Sequence, residues 1–157
     1  MTYHTVDRKI RHSLVTGATL AVCLAGFACK GGSSTPTGPS PANISGAWSG
    51  SASDSSGPGT MTWQLTQSGS SFSGTLTMRD TTTSVTGRGS VSGTLSGSSL
   101  QFSLSVPAGG FDNPYATCTA TVSGSGSASP TAITATYTGS SSCTGTIASG
   151  QLSLNRQ

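Results

Sequence analysis

Charge is scarce in this chain. Only 7% of its 157 residues are Asp, Glu, Lys or Arg, against about 25% in an average domain; Gly, Ser and Thr take their place. Beyond residue 42 there is no histidine and no glutamate, and the carboxylates are Asp54, Asp80, Asp112 and the C-terminus. That absence excludes Ser-His-Asp and Cys-His nucleophilic catalysis and histidine-containing metal sites. The expectation is a protein that is not an enzyme and carries no metal or cofactor; a paired-carboxylate glycosidase survives only as arithmetic. Cations are equally thin: Arg79, Arg88 and Arg156 lie dispersed, so no basic patch exists to hold nucleic acid. Helical periodicity is missing too, which removes helical and mixed folds.

What is present begins with export. Arg8, Lys9 and Arg11 precede an apolar run from Ser13 to Phe27 that small residues end at Ala28. A basic segment, a short apolar segment and a small boundary residue describe a secretory signal peptide over residues 1–28; a membrane-spanning helix needs about 20 apolar residues. Gly26-Phe27-Ala28-Cys29 resembles the lipobox of bacterial lipoproteins. That resemblance implies cleavage before Cys29, acylation of Cys29 (a palmitate-type anchor) and tethering to the cell envelope. Lys30 after the cysteine implies the outer membrane. Gly26 stands where the pattern prefers Leu, so plain cleavage after Ala28, giving a periplasmic or secreted protein, is the alternative. Residues 30–42 form a Gly/Ser/Pro linker with an r.m.s. reach of about 20 Å. Cys23 leaves with the signal peptide and Cys29 takes lipid, so Cys118 and Cys143 remain to pair as a disulfide in an oxidising compartment.

From Asn43 onward apolar residues alternate with Thr, Ser and Gln, as in half-buried antiparallel strands. Ile44, Gly46 and Trp48 share one face, as do Met61, Trp63 and Leu65, and Leu100, Phe102, Leu104 and Val106. Eight strands are predicted, over 44–53, 60–67, 71–79, 84–95, 99–106, 115–128, 133–147 and 151–156. Ser68-Gly69, Gly97-Ser98 and Ser149-Gly150 read as two-residue hairpin turns. Folding about Ser68-Gly69 sets Leu65 opposite Phe72 and Trp63 opposite Gly74. Folding about Gly97-Ser98 sets Gly93 opposite Phe102. A turn at Pro130-Thr131 sets Cys118 opposite Cys143 and Gly124 opposite Tyr137. In each hairpin an inward aromatic covers an inward glycine.

One apolar face on eight sequential strands favours an all-β, up-and-down barrel over residues 43–157, since closure buries that face and removes the edges; a two-sheet sandwich is the alternative. Ile44-x-Gly46-x-Trp48 at the start of such a meander is similar to the opening of calycins, the avidin and lipocalin group. The resemblance implies that an inward basic residue of the last strand, Arg156, packs across Trp48 as a structural clasp. Biotin binding is not implied, because Ser49-Gly50-Ser51-Ala52 lacks the Asn of the avidin pattern.

The loops 54–59, 80–83 and 107–114 share one end of the meander and hold all three aspartates. Asp54, Arg79, Asp80, Phe111, Asp112 and Tyr115 are therefore the candidate rim contacts; read structurally, aspartates favour turns and the two aromatics plug the mouth. Trp48, Trp63, Phe72, Phe102 and Tyr137 all point inward and are expected to fill a short barrel. A filled barrel favours a structural or protein-contact role at the envelope. A cavity above about 300 Å³ would favour a carrier of a small apolar ligand. A protease inhibitor acting through its N-terminal segment is the third reading, by analogy of fold.

Overall fold

Hydroxyl residues facing water and apolar residues facing one another leave this chain a single way to hide its inner face. The computed structural model describes residues 40–157; the expected signal peptide, Cys29 and most of the linker lie outside the described residues. Eight antiparallel strands follow one another: β1 (Gly46–Asp54), β2 (Gly57–Ser68), β3 (Ser71–Asp80), β4 (Thr86–Ser96), β5 (Ser99–Val106), β6 (Ala120–Ala128), β7 (Ala132–Ser141) and β8 (Gly145–Arg156). Each pairs with its sequence neighbours, and β8 pairs with β1 to close the barrel. Closure removes the sandwich alternative.

Register follows the turns. Gly97-Ser98 and Pro130-Thr131 lie in the expected places, with Gly93 opposite Phe102 and Gly124 opposite Tyr137. The first hairpin turns one residue later than expected. Ser68 pairs with Ser71, so the loop is Gly69-Ser70, and Leu65 faces Gly74 while Trp63 faces Leu76. Gly69 has a φ of 60°, and a glycine opening a two-residue loop is what a twist-matched hairpin requires. Ser149-Gly150 is not a turn. β8 runs through it, with Ser149 at a φ of 55° and a register shift opposite Tyr137–Gly139. This is a bulge, in which one extra residue is absorbed without ending the strand. The β7–β8 connection is residues 142–144 instead, and the strand expected over 115–128 begins only at Ala120.

Cys118 and Cys143 form a disulfide with Cα atoms 5.6 Å apart. It lies beyond the last β6–β7 pair, Ala120–Ser141, and joins the long β5–β6 connection to the β7–β8 turn.

The turns at Gly69, Gly97 and Pro130 mark one end of the barrel, together with the start of β1 and the end of β8. This end is closed by the chain's own entry segment. Ile44 is fully buried, and the Ala42 amide donates to the Gly97 carbonyl at 3.2 Å. Trp48 Nε1 donates to the Ile44 carbonyl at 2.8 Å. The Arg156 guanidinium lies 4.7 Å from the Trp48 ring centroid and donates to the carbonyls of Pro130, Ser45 and Asn43. Trp48 and Arg156 are thus stacked as expected, and the arginine also pins the entry segment to the β6–β7 turn.

An inward row of cross-strand partners runs Phe72, Gly93, Phe102, Gly124, Tyr137, Gly150 from β3 to β8. Aromatics and glycines alternate along it because each ring lies over the glycine on the following strand. A Cβ on Gly93 would sit 2.5 Å from Phe72 Cζ, one on Gly124 2.4 Å from Phe102 Cζ, and one on Gly150 2.3 Å from Tyr137 Cδ2. The covering ring therefore comes from the preceding strand, not from the hairpin partner that sequence alone suggests. Trp63 packs edge-on against Phe102, ring centroids 5.3 Å apart, and its Nε1 is the buried side-chain polar atom without a hydrogen-bond partner among the described residues.

Gly124→Ala is expected to destabilise by about 1–3 kcal/mol through overpacking, since the new methyl meets both the Phe102 ring and the Thr136 carbonyl; the urea midpoint would read it. Arg156→Ala is expected to cost about 2 kcal/mol through its lost charge-assisted hydrogen bonds. Arg156→Lys should recover only part, because lysine lacks the planar fork. Amide exchange at residues 43–45 would rise in both variants.

Candidate functional site

At the other end the strands are joined by the turn at Ser55-Ser56, the loop 81–85, the long connection 107–119 and the turn 142–144. The closed end holds Trp48, Trp63, Leu95, Leu100, Ile133 and Leu154, all nearly inaccessible. The inward positions toward the open end are smaller: Ala52, Gly59, Gly87 and Ala120 border a cup of about 270 Å³ with Met61, Leu104, Val122 and Ile147. The barrel is therefore filled at one end and hollow at the other. Four of the five inward aromatics fill it as expected, while Tyr137 lines the cup.

The row described above explains that division. Phe72 is the second residue of β3, Phe102 the fourth of β5 and Tyr137 the sixth of β7, and all three strands start at the closed end. Strand tilt thus carries the row from the closed end up to the cup. Tyr137 presents its hydroxyl there and donates to Asp54 Oδ2 at 2.9 Å. Asp54 Oδ1 accepts from the Ser56 amide at 2.7 Å, which holds the carboxylate at the β1–β2 turn. The β8 bulge is adjacent: the Ser55 amide donates to the Ala148 carbonyl and the Ala148 amide to Ser55 Oγ, both at 3.0 Å.

Asp80 Oδ1 accepts from the amides of Thr82 and Thr83 at 2.7 and 2.8 Å. These donors, the Thr83 amide foremost, hold its carboxyl below the usual carboxylate range despite partial desolvation. Asp80 is a charged group at neutral pH.

The expected rim residues separate into two sets. Asp54, Arg79, Asp80, Phe111 and Tyr115 border the cup. Asp112 does not. The connection after β5 folds back on β4, with Gly87 bridging Phe111 and the Asp112 amide donating to the Thr86 carbonyl at 2.9 Å. Asp112 Oδ1 then pairs with Arg88 Nη1 at 2.9 Å on the exposed outer side, and that hydrogen bond lowers its pKa. The same fold-back lays the Phe111 ring over Gly87, so Phe111 forms part of the cup wall. Tyr115, 39% exposed, is the large hydrophobic residue left open to solvent among the described residues.

Residues that sequence reading missed are the small inward ones and the Tyr137–Asp54 pair. The signal existed in the inward face, where bulky residues give way to Ala and Gly toward one end, but it needs the direction of every strand to be aligned first. Among the described residues no three of His, Cys, Asp and Glu come together as metal ligands. Compared with protein-family models, curated proteins and solved structures, the chain matches none.

Burial, then the hydrogen bond to Asp54 and its negative charge, push the Tyr137 phenol well above its ordinary value near 10. A group with a raised folded pKa contributes stability that is complete below its unfolded pKa and lost as pH rises past it. The protein is therefore expected to lose stability above about pH 10, and Tyr137→Phe should flatten that alkaline decline while costing about 1 kcal/mol at neutral pH. Urea unfolding followed from about pH 8 to about pH 11 would check both.

Proposed function

We propose that this chain is a membrane-anchored, non-catalytic bacterial lipoprotein that binds a small, largely apolar molecule in the open half of its barrel. In this reading Cys29 carries the lipid and residues 30–42 form the tether. The half-empty lumen carries the proposal: its volume of about 270 Å³ falls short of the roughly 300 Å³ expected of a carrier pocket, which restricts the occupant to a molecule smaller than drug-sized. That volume exceeds the roughly 150 Å³ that suffices for benzene.

Orientation supports the same reading. Ala42 is held at the closed end by its bond to Gly97, so a tether arriving there leaves the cup mouth facing away from the membrane. A calycin-like origin belongs to the proposal and rests on Gly46-x-Trp48 and the stacked Arg156. One observation favours a second reading, protein contact at the envelope: exposed Tyr115 at the mouth would seat a partner over the cup. The inhibitor reading is left with the segment ahead of Ala42, most of it outside the described residues.

Native mass spectrometry of the detergent-extracted protein tests the proposal. The expected species is a chain beginning at acylated Cys29, with the Cys118–Cys143 bridge and a small adduct that is lost on denaturation. An unmodified chain beginning at Cys29 would end the anchor. A barrel that carries no adduct, and takes up no small molecule on titration, would end the binding role.

A further inference from the structure

We infer that the cup selects small organic cations, an ammonium head on a short apolar or aromatic body. This rests on the ligand-binding reading above and adds to it the charge of the ligand.

The sign follows from where the charged groups lie. Asp54 and Asp80 border the cup, and both belong to the inward parity of their strands, with Ala52 and Met78. Among the described residues no cation shares that inward parity at the cup. Arg79 borders the mouth but alternates with inward Met78 and Asp80 and is exposed. Arg88 is engaged by Asp112 on the outer side. Arg156 is at the closed end, stacked on Trp48. The mouth of the cup therefore carries two carboxylates above an apolar interior, an arrangement that concentrates cations and repels anions.

Both carboxylates retain capacity to bind. The Thr82 and Thr83 amides both donate to Asp80 Oδ1, and Oδ2 accepts from neither. Each Asp54 oxygen accepts one bond, and a carboxylate oxygen can accept a second. Phe111, Tyr115 and Tyr137 border the same volume, and an ammonium group near an aromatic ring and a carboxylate gains from both. A neutral alcohol would keep the apolar contact and one hydrogen bond but no charge interaction. A carboxylate ligand would meet two like charges. Methionines 61 and 78 and Ile147 supply the apolar floor for the body of the ligand.

Isothermal titration of the detergent-solubilised full chain, against an empty-micelle blank, with benzylamine, benzyl alcohol and benzoate tests this with three molecules of one shape. Benzylamine is expected to bind at least about tenfold more tightly than benzyl alcohol, and benzoate to give no binding heat. Asp54→Asn and Asp80→Asn are each expected to weaken benzylamine about three- to tenfold and so to narrow its advantage over benzyl alcohol. Should Asp54→Asn fail to fold, Asp80→Asn at the rim gives the same readout. Equal affinities for amine and alcohol, or tightest binding by benzoate, would overturn cation selectivity while leaving the cup as a binding site. No binding by any of the three would overturn both.

Discussion

Each inward ring of the Phe72–Gly93–Phe102–Gly124–Tyr137–Gly150 row occupies the space where its neighbour's Cβ would be, its nearest ring atom 2.3–2.5 Å away. Along this row a side chain in place of any of these glycines would collide with the ring beside it, and two adjacent glycines would leave a hole. Alternation satisfies both limits at once, letting the sheet coil sharply while keeping its interior covered. Register, curvature and filling are consequently one constraint, imposed on six of the eight strands.

That constraint also prepares the cup. Because the row climbs with strand tilt, its first rings pack the closed end beside Trp63 and Trp48, whereas its last ring, Tyr137, reaches the open half. There its hydroxyl meets Asp54 rather than more hydrocarbon. The closed end needs no such polar partner, since the entry segment, Ile44 and Arg156 cover it. The open end is shaped by the fold-back of the β5–β6 connection on β4 and by the disulfide that ties this connection to the β7–β8 turn. The barrel is thus sealed by its own N-terminal entry and open at the far end.

The charge pattern follows the same division. Thr and Ser dominate the outer wall, and among the described residues one ion pair, Arg88–Asp112, lies outside. The remaining carboxylates are held by backbone amides at turns, Asp54 by Ser56 and Asp80 by Thr82 and Thr83. Turn formation places aspartates at these positions for local reasons, and the inward parity of the same residues then turns the rim of the cup acidic.

Much of this was legible in the residues alone. Alternation established the strands and their inward faces, while the pairing of Trp48 with Arg156 came from the resemblance of Ile44-x-Gly46-x-Trp48 to calycins, with which the inward parity of Arg156 agrees. Gly97-Ser98 and Pro130-Thr131 gave true registers. Turn chemistry failed where a glycine could serve either loop position, as at Gly69, and where a bulge takes the same left-handed backbone as a turn, as at Ser149. Asp112 could not be separated from the rim, because its direction depends on how residues 107–112 lie on β4. By itself the sequence determined an all-β, charge-poor chain with one apolar face and, beyond residue 42, one pair of cysteines to bridge. Only the tertiary structure decided that the lumen is full at one end and hollow at the other. That property belongs to strand tilt and alignment, which bring Ala52, Gly87 and Ala120 to one level and the large aromatics to another.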